Sequence, residues 1–240
     1  EDRGIEKYGQ LQDLLNKPYI YSELLKLFND AENKYDSGLF DFRDEDKITQ
    51  NITIDNDILK YIIKSIYYPD SPYEFSVLDV EILGNIYEQF LGKTIRLTPS
   101  RQVKIEFKPD VKKAGGVYYT PSYIVDYIVS NTIGELIKNK TPEDVNNYKI
   151  LDPACGSGSF LLGAYEFLLN FHLDYYIKNK HSAIKENKIY EKGYNDYSLT
   201  IDEKKKILLN NIYGVDIDPG AVEVTKLSLI LKLLEGETQQ

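Results

Sequence analysis

The sequence predicts an α/β fold: a mostly helical N-terminal part, then the first strands and helices of a doubly wound parallel sheet. Three observations carry this. Residues 150–160 read Ile-Leu-Asp-Pro-Ala-Cys-Gly-Ser-Gly-Ser-Phe, a short apolar strand that ends on an acid and turns through small residues into an apolar helix. Residues 212–219, Ile-Tyr-Gly-Val-Asp-Ile-Asp-Pro, repeat the pattern: strand, acid, turn, helix. Two such units open an α/β sheet whose ligands sit beyond the carboxyl ends of the strands. Ahead of them, apolar residues recur at helical spacing through most of residues 1–91. The division expected is a helical subdomain over 1–114, with a short extended pair near 94–107, and a ligand-binding half over 115–240.

Each element follows from local pattern. Leu11, Leu14 and Leu15, then Leu24, Leu25, Leu27 and Phe28, predict two helical segments separated by Pro18, with Ser22 as a cap. Residues 31–57 carry weak periodicity and are expected to be mostly loop. Leu59, Ile62, Ile63 and Ile66 share one face of a helix over 58–67, capped by Asn56 or Asp57. A wide apolar surface predicts a further helix over 76–91, where Glu81 and Glu88 share a face and are expected to be solvated or salt-bridged. Residues 94–97 and 103–107 alternate as a hairpin does, in the most basic part of the chain, which is expected to be a solvated linker. Thr120 and Pro121 stand where an N-cap and first helical residue belong, ahead of a helix to 138. Residues 178–200 are rich in Lys, Asn and Tyr and read as an inserted excursion; His172 and His181 have no metal-ligand spacing around them. A short helix over 202–211 and a final helix over 220–234, apolar nearly all round and so expected to be buried, complete the chain.

Composition narrows the function classes. The formal charge of −9 and pI of about 4.9 argue against a simple phosphate-coating protein. One cysteine, Cys155, excludes a disulfide framework and fits a reducing, cytoplasmic setting. No apolar run approaches a membrane span, and no signal-peptide pattern opens the chain. The sequence contains no methionine and begins Glu-Asp-Arg, so a segment of a longer protein is expected.

The two strand ends select the ligand. The turn after residue 151 brings bare backbone, with Gly156 and Gly158 removing bulk, to the N-terminal end of a helix. The dinucleotide fingerprint requires a third glycine where Leu161 stands. Asp152 repels a pyrophosphate but pairs with an ammonium group, and Asp216 is placed to take a pair of ribose hydroxyls. An amine, a ribose and an adenine together suit both acids: S-adenosylmethionine. A nicotinamide- or ATP-binding domain, and a non-catalytic interaction module with a vestigial pocket, are the alternatives.

Residues 151–160, Leu-Asp-Pro-Ala-Cys-Gly-Ser-Gly-Ser-Phe, resemble the first motif of DNA adenine-N6 methyltransferases. Tyr118-Tyr119-Thr120-Pro121 is similar to the motif that precedes it in the gamma order, and residues 212–219 to the acidic second motif. The run Leu83-Gly84-Asn85-Ile86-Tyr87-Glu88-Gln89-Phe90-Leu91 resembles the helical segment ahead of that domain in restriction–modification enzymes, above all large single-chain type II enzymes; type I modification subunits and phage-defence methyltransferases share much of it. The resemblance, over residues 75–235, implies a Rossmann-like methyltransferase sheet, truncated here. It implies that Asp152 holds the methionine amine, that Ala154, Cys155, Gly156 and Gly158 line the cofactor with backbone, and that Tyr119 and Thr120 close over the methionine portion. Asp216 takes the ribose and Ile217 lies against the adenine; Cys155 serves by size rather than as a nucleophile. Double-stranded DNA is the implied partner of the whole protein, with a specificity subunit or a fused nuclease and target-recognition domain; RNA or protein as the methyl acceptor is the alternative.

One departure stands out. The family's catalytic Asn/Asp/Ser-Pro-Pro-aromatic tetrapeptide follows the second and third motifs, and nothing like it follows Asp216 in this sequence. Its nearest likeness, Asp70-Ser71-Pro72-Tyr73, has one proline and precedes the sheet, so it is read as a helix-breaking loop. Cofactor binding without methyl transfer is therefore expected of this chain.

Overall fold

The structure is a computed structural model that describes residues 9–35, 40, 49–71, 82, 84, 86–88, 93–107 and 120–236. Its architecture is mixed α/β, with three two-stranded sheets among these residues. The chain forms two compact units, Glu1–Asp79 with Leu234–Gln240, and Val80–Leu233.

The first unit is helical. One turn, Gln10–Asp13, runs into a 3-10 turn, Leu14–Asn16, and is followed by α1 (Ile20–Tyr35) and α2 (Asn56–Ser65). Leu14, Ile20, Leu59, Ile63 and Tyr67 form its buried core. Asn56 ties the two helices: its carbonyl accepts from Ile20 N at 3.2 Å and its amide donates to Pro18 O at 2.8 Å. The caps differ from those the sequence suggests. Asp55, one position earlier than expected, accepts from Asp57 N and caps α2. Ser22 lies inside α1 and its hydroxyl donates back to Tyr19 O. Ile62 and Ile66, expected on the buried face, are exposed, because α2 packs through Leu59 and Ile63.

In the second unit, Ile82, Gly84, Ile86, Tyr87 and Glu88 are helical. Strands β1 (Lys93–Leu97) and β2 (Val103–Phe107) then pair antiparallel, as the alternation predicts, with Ile95 opposite Ile105 and Leu97 opposite Val103. Helix α3 begins at Ser122–Val129, widens into a π stretch over Ser130–Gly134 and closes over Glu135–Ile137. Its N-cap is Pro121, and no side chain caps it, so Thr120 does not serve there. The parallel pair follows: β3 (Ile150–Asp152) and β6 (Ile212–Gly214), with Asp152 opposite Gly214.

Between them run α4 (Ser159–Lys178), α5 (Lys180–Lys185), the hairpin β4 (Ile189–Gly193) and β5 (Asp196–Leu199), and α6 (Ile201–Asn211). The excursion expected over 178–200 is thus an ordered helix and hairpin. Its order has a source in buried polar chemistry. Lys188 Nζ donates to Glu203 Oε2 at 2.9 Å, Tyr176 Oη donates to Glu203 Oε1 at 2.8 Å, and Thr200 caps α6 through Glu203 N. Burial alone would raise the Glu203 carboxyl, but the donors Lys188 and Tyr176 bring it below its ordinary value. His172, fully buried, bonds through Nδ1 to Leu168 O, while His181 is exposed.

The core of this unit joins α3, α4 and β4 to α7 (Pro219–Leu233) through Val125, Val129, Leu162, Tyr165, Leu168, Ile189 and Leu229. Helices α3 and α4 meet at Gly163, where a Cβ would stand 2.5 Å from Val125 Cγ1. The fully buried stripe of α7 is Ala221, Thr225, Ser228 and Leu229; most of its larger apolar residues are only half-buried. Small residues on that stripe let the helix approach the turn after β3 closely.

Candidate functional site

The site is built where β3 and β6 end side by side. The ladder continues past both strands: Val215 N donates to Asp152 O and Cys155 N to Val215 O, each at 2.9 Å. These bonds bring residues 152–158 and 215–218 into one cluster. The turn from 153 to 158 then folds on itself, with Gly158 N donating to Cys155 O at 2.8 Å. Gly156 (φ 53) and Gly158 (φ 87) occupy the left-handed region, which glycine enters without a Cβ penalty. Gly158 is the N-cap of α4 and accepts from Leu162 N at 2.8 Å.

Helix α7 closes the turn from behind. Thr225 Oγ1 donates to Gly156 O at 2.8 Å, and a Cβ on Gly158 would lie 2.6 Å from Thr225 Cγ2. The Cys155 side chain is 6 % exposed and faces Gly214, where an added Cβ would meet its sulfur at 3.1 Å. Burial pushes the thiol above its ordinary value, and the neighbouring Asp216 and Asp152 add to the rise against a bond to Thr225. A thiol so held is a poor nucleophile.

Three carboxylates meet this turn. Asp152 Oδ1 accepts from Ala154 N at 3.0 Å. Asp216 spans both loops: Oδ1 accepts from Asp218 N at 2.9 Å and Oδ2 from Gly156 N at 2.8 Å. The backbone N–H groups of Asp218 and Gly156 hold its carboxyl below the usual carboxylate value. The third acid is Glu88, whose Oε1 accepts from the buried Ser157 hydroxyl at 2.5 Å. Tyr87, the residue before Glu88, comes close to Gly220. Its hydroxyl is raised, first by burial and then by Asp218 and Asp216.

Asp152, Ala154, Cys155, Gly156, Gly158 and Asp216 are therefore brought together. Ile217 follows directly with a fully exposed side chain. Thr120 is partly buried at the start of α3, and no hydrogen bond links it to the turn among the described residues. Tyr119 lies outside the described residues, as do Tyr73 of the loop at 70–73 and Glu81. Glu88 was missed by residue pattern: the solvated or salt-bridged edge expected for it is instead a contact with the turn. Its signal was Gly84, one helical turn earlier, where a Cβ would stand 3.2 Å from Ser157.

In front of β3 a cavity of about 330 Å³ runs past Asp152 and Pro153, walled by Phe160 and by Ile128, Thr132 and Ile133 of α3. No group of three or more His, Cys, Asp or Glu side chains is arranged to hold a metal among the described residues, and no described helix is long and apolar enough to cross a membrane.

These residues suit a ligand that carries a cation and hydroxyls. Gly156 carries no side chain, and among the described residues beyond its chain neighbours only Glu88 Oε1 lies within 4 Å of a would-be Cβ. Asp152 keeps one oxygen and Asp216 keeps lone pairs beyond its two backbone bonds. Acids in this number oppose a phosphate and attract an ammonium group.

The chain has recognisable relatives among known proteins. A family described as N-6 DNA Methylase matches residues 78–240. The chain is 38% identical over 240 residues to the type II restriction enzyme and methyltransferase RM.Eco57I of Escherichia coli, covering 100% of this chain and 23% of that protein. It is 28% identical over 216 residues to the adenine-specific methyltransferase BrxX of Escherichia coli O9:H4, covering 77% of this chain and 15% of that protein. It is 30% identical over 206 residues to the type I restriction enzyme MjaIX methylase subunit of Methanocaldococcus jannaschii, covering 86% and 26%. The chain thus spans about a quarter of the length of RM.Eco57I or less of the longer BrxX.

Proposed function

Because this chain belongs to the N-6 DNA methylase family, we propose that it carries the S-adenosylmethionine-binding half of a DNA adenine-N6 methyltransferase from a restriction–modification or related phage-defence system. The observation that carries the reading is the meeting of Asp152, bare Gly156 and Asp216 where β3 and β6 end side by side. On this reading the parallel pair is the start of a Rossmann-like sheet, and the ligand lies beyond its carboxyl end.

S-adenosylmethionine supplies a methyl group already activated on a sulfonium. The chain's own residues bind and orient. Asp152 offers its spare oxygen to the ammonium group of the amino acid portion. Asp216, ionised and fixed by two backbone N–H groups, offers its remaining lone pairs to the ribose hydroxyls. The backbone of 154–156 comes close because Gly156 has no side chain, and Ile217, bare of protein contact, supplies apolar surface for the adenine. Thr120 and Tyr119 are assigned to the methionine side. Cys155 fills space against Gly214.

DNA, with a specificity subunit or fused nuclease and recognition domains, is the proposed partner of the whole protein. With no Pro-Pro pair in the sequence, this chain lacks the loop that grips the flipped adenine, so it binds the cofactor without transferring methyl groups. Calorimetry with S-adenosylhomocysteine, NAD and ATP tests the first part. Binding of S-adenosylhomocysteine alone is expected, weakened about tenfold or more by Asp152→Ala. Equal binding of NAD or ATP, or an Asp152→Ala variant of unchanged affinity, overturns it. Transfer of labelled methyl groups to DNA by this chain at an enzyme's ordinary rate overturns the second part.

A further inference from the structure

The Glu88 carboxylate has a place in this site that neither its sequence context nor the family's first and second motifs provide. Its Oε1 accepts from Ser157 Oγ at 2.5 Å, and Ser157 is only 1 % exposed. Its Oε2 is buried and has no hydrogen-bond partner among the described residues. Another buried carboxylate oxygen of this kind, Glu223 Oε2, belongs to a side chain whose Oε1 is paired with Lys226 at 2.7 Å. Among the described residues Glu88 has only a neutral hydroxyl as partner. A buried carboxylate oxygen without a donor is costly, and the donor that relieves it best is a cation.

Geometry says where that donor enters. Glu88 Oε1 stands 3.5 Å from the position of a Cβ on Gly156, over the open face of the residue whose N–H holds Asp216. Gly84 makes this approach possible: it lies one turn earlier on the same helical face, buried against Ser157. We propose that Glu88 is a third acid of the cofactor site: Oε1 fixes Ser157, and Oε2 accepts a hydrogen bond from the ammonium group of the bound amino acid portion, together with Asp152. An ammonium carries three donors, so two carboxylates and one further acceptor satisfy it fully. This rests on the reading of the turn as an S-adenosylmethionine site.

The test compares two ligands that share a nucleoside. S-adenosylhomocysteine carries the ammonium group; 5′-methylthioadenosine lacks the amino acid portion. Glu88→Gln keeps an oxygen for Ser157 and removes the charge. It is expected to weaken S-adenosylhomocysteine about tenfold or more and to leave 5′-methylthioadenosine within about twofold. Glu88→Asp, which keeps the charge, retains more of the preference than Glu88→Gln, and is the second variant should the first fold poorly. Unchanged S-adenosylhomocysteine affinity in Glu88→Gln overturns the proposal. So does an equal loss of both ligands, which assigns Glu88 to holding the turn alone. If the unaltered chain binds neither ligand, the site reading itself fails and this inference with it. If Glu88→Gln is neutral while Asp152→Ala is not, only the role of Glu88 fails.

Discussion

Gly158→Ala is the sharpest probe of how the turn is held. Gly158 sits at φ 87 and ψ 18, capping α4. A non-glycine residue in that region costs about 1–2 kcal/mol. The new methyl would also stand 2.6 Å from Thr225 Cγ2 and 2.8 Å from its hydroxyl oxygen. The threonine cannot turn away freely, because its hydroxyl donates to Gly156 O and its side chain is 4 % exposed. Relief of the overlap therefore moves α7 or breaks that bond, at a cost of about 1–3 kcal/mol for overpacking. The combined expectation is about 2–5 kcal/mol, a large part of the stability of an ordinary domain. Urea unfolding of the variant measures it. The double variant Gly158→Ala, Thr225→Ala, read against Thr225→Ala alone, separates the two parts, since both lack the bond to Gly156 O and the overlap with the threonine Cγ2 and Oγ1, which leaves the backbone term. A Gly158→Ala loss under about 0.5 kcal/mol, or a double variant that recovers nothing, refutes the account of the turn as wedged between α4 and α7.

Asp216→Asn places an amide N–H against the backbone N–H of Gly156 or Asp218, and a loss of about 1–3 kcal/mol in urea unfolding is expected. Since the Asp216 carboxyl lies below its ordinary value in the fold, its contribution is present above the unfolded value of about 3.9 and is lost as pH falls through the folded value; acid titration of stability shows this limb, and Asp216→Asn removes it. Lys188→Met strands the buried Glu203 carboxylate beside Tyr176 and costs about 3–5 kcal/mol at neutral pH. Its folded value then rises, so the variant regains stability relative to the parent as pH falls toward the carboxylate range; loss that is the same at pH 5 and pH 8 counts against the pairing. Gly163→Ala puts a methyl 2.5 Å from Val125 Cγ1 and is expected to cost about 1–3 kcal/mol, read by thermal unfolding; a neutral result means that α3 and α4 are not closely packed there.

What was legible in the sequence is what depends on neighbours in the chain. The two strand–acid–turn units, the hairpin at Ile95 and Ile105, and helix α6 each have local causes: alternation, a small-residue turn, a Thr200 cap. Cap positions slipped by a residue or two because Asp55, Asn56 and Asp57 all offer an oxygen, and only packing decides among them. Asn56 is drawn to Pro18 and Ile20, which leaves Asp55 as the cap. Residues 178–200 show little period because Glu203, just beyond the segment, holds Lys188 and Tyr176 from 15 and 27 residues away rather than at a repeating spacing. The burial of α7 was misjudged in kind. Its apolar composition suggested burial all round, but the face pressed against the turn is made of small and hydroxylic residues, as close approach requires. Glu88 was hidden for the same reason: its partner Ser157 is 69 residues away.

The arrangement of acids also divides their labour. Among the described residues the Asp152 carboxylate bonds only to Ala154 N in its own turn, so its removal leaves the backbone ladder from β3 to β6 in place. Asp216 is different, because its carboxylate takes Asp218 N in its own loop and Gly156 N across from it, and the second of these adds to the ladder bonds that hold the two loops together. A carboxylate has about four lone-pair sites. On the proposed reading, the sites left after Gly156 N and Asp218 N are those that take the vicinal hydroxyls. The bonds that build the turn thus also orient the acceptor. It follows that stability and affinity fall together when Asp216 is changed, but separate when Asp152 is changed. Unfolding and ligand titration on Asp152→Ala and Asp216→Ala distinguish these outcomes. If the two variants lose stability equally, Asp216 is not the strut between the loops, and its acceptors have no reason to be better oriented than those of any exposed acid.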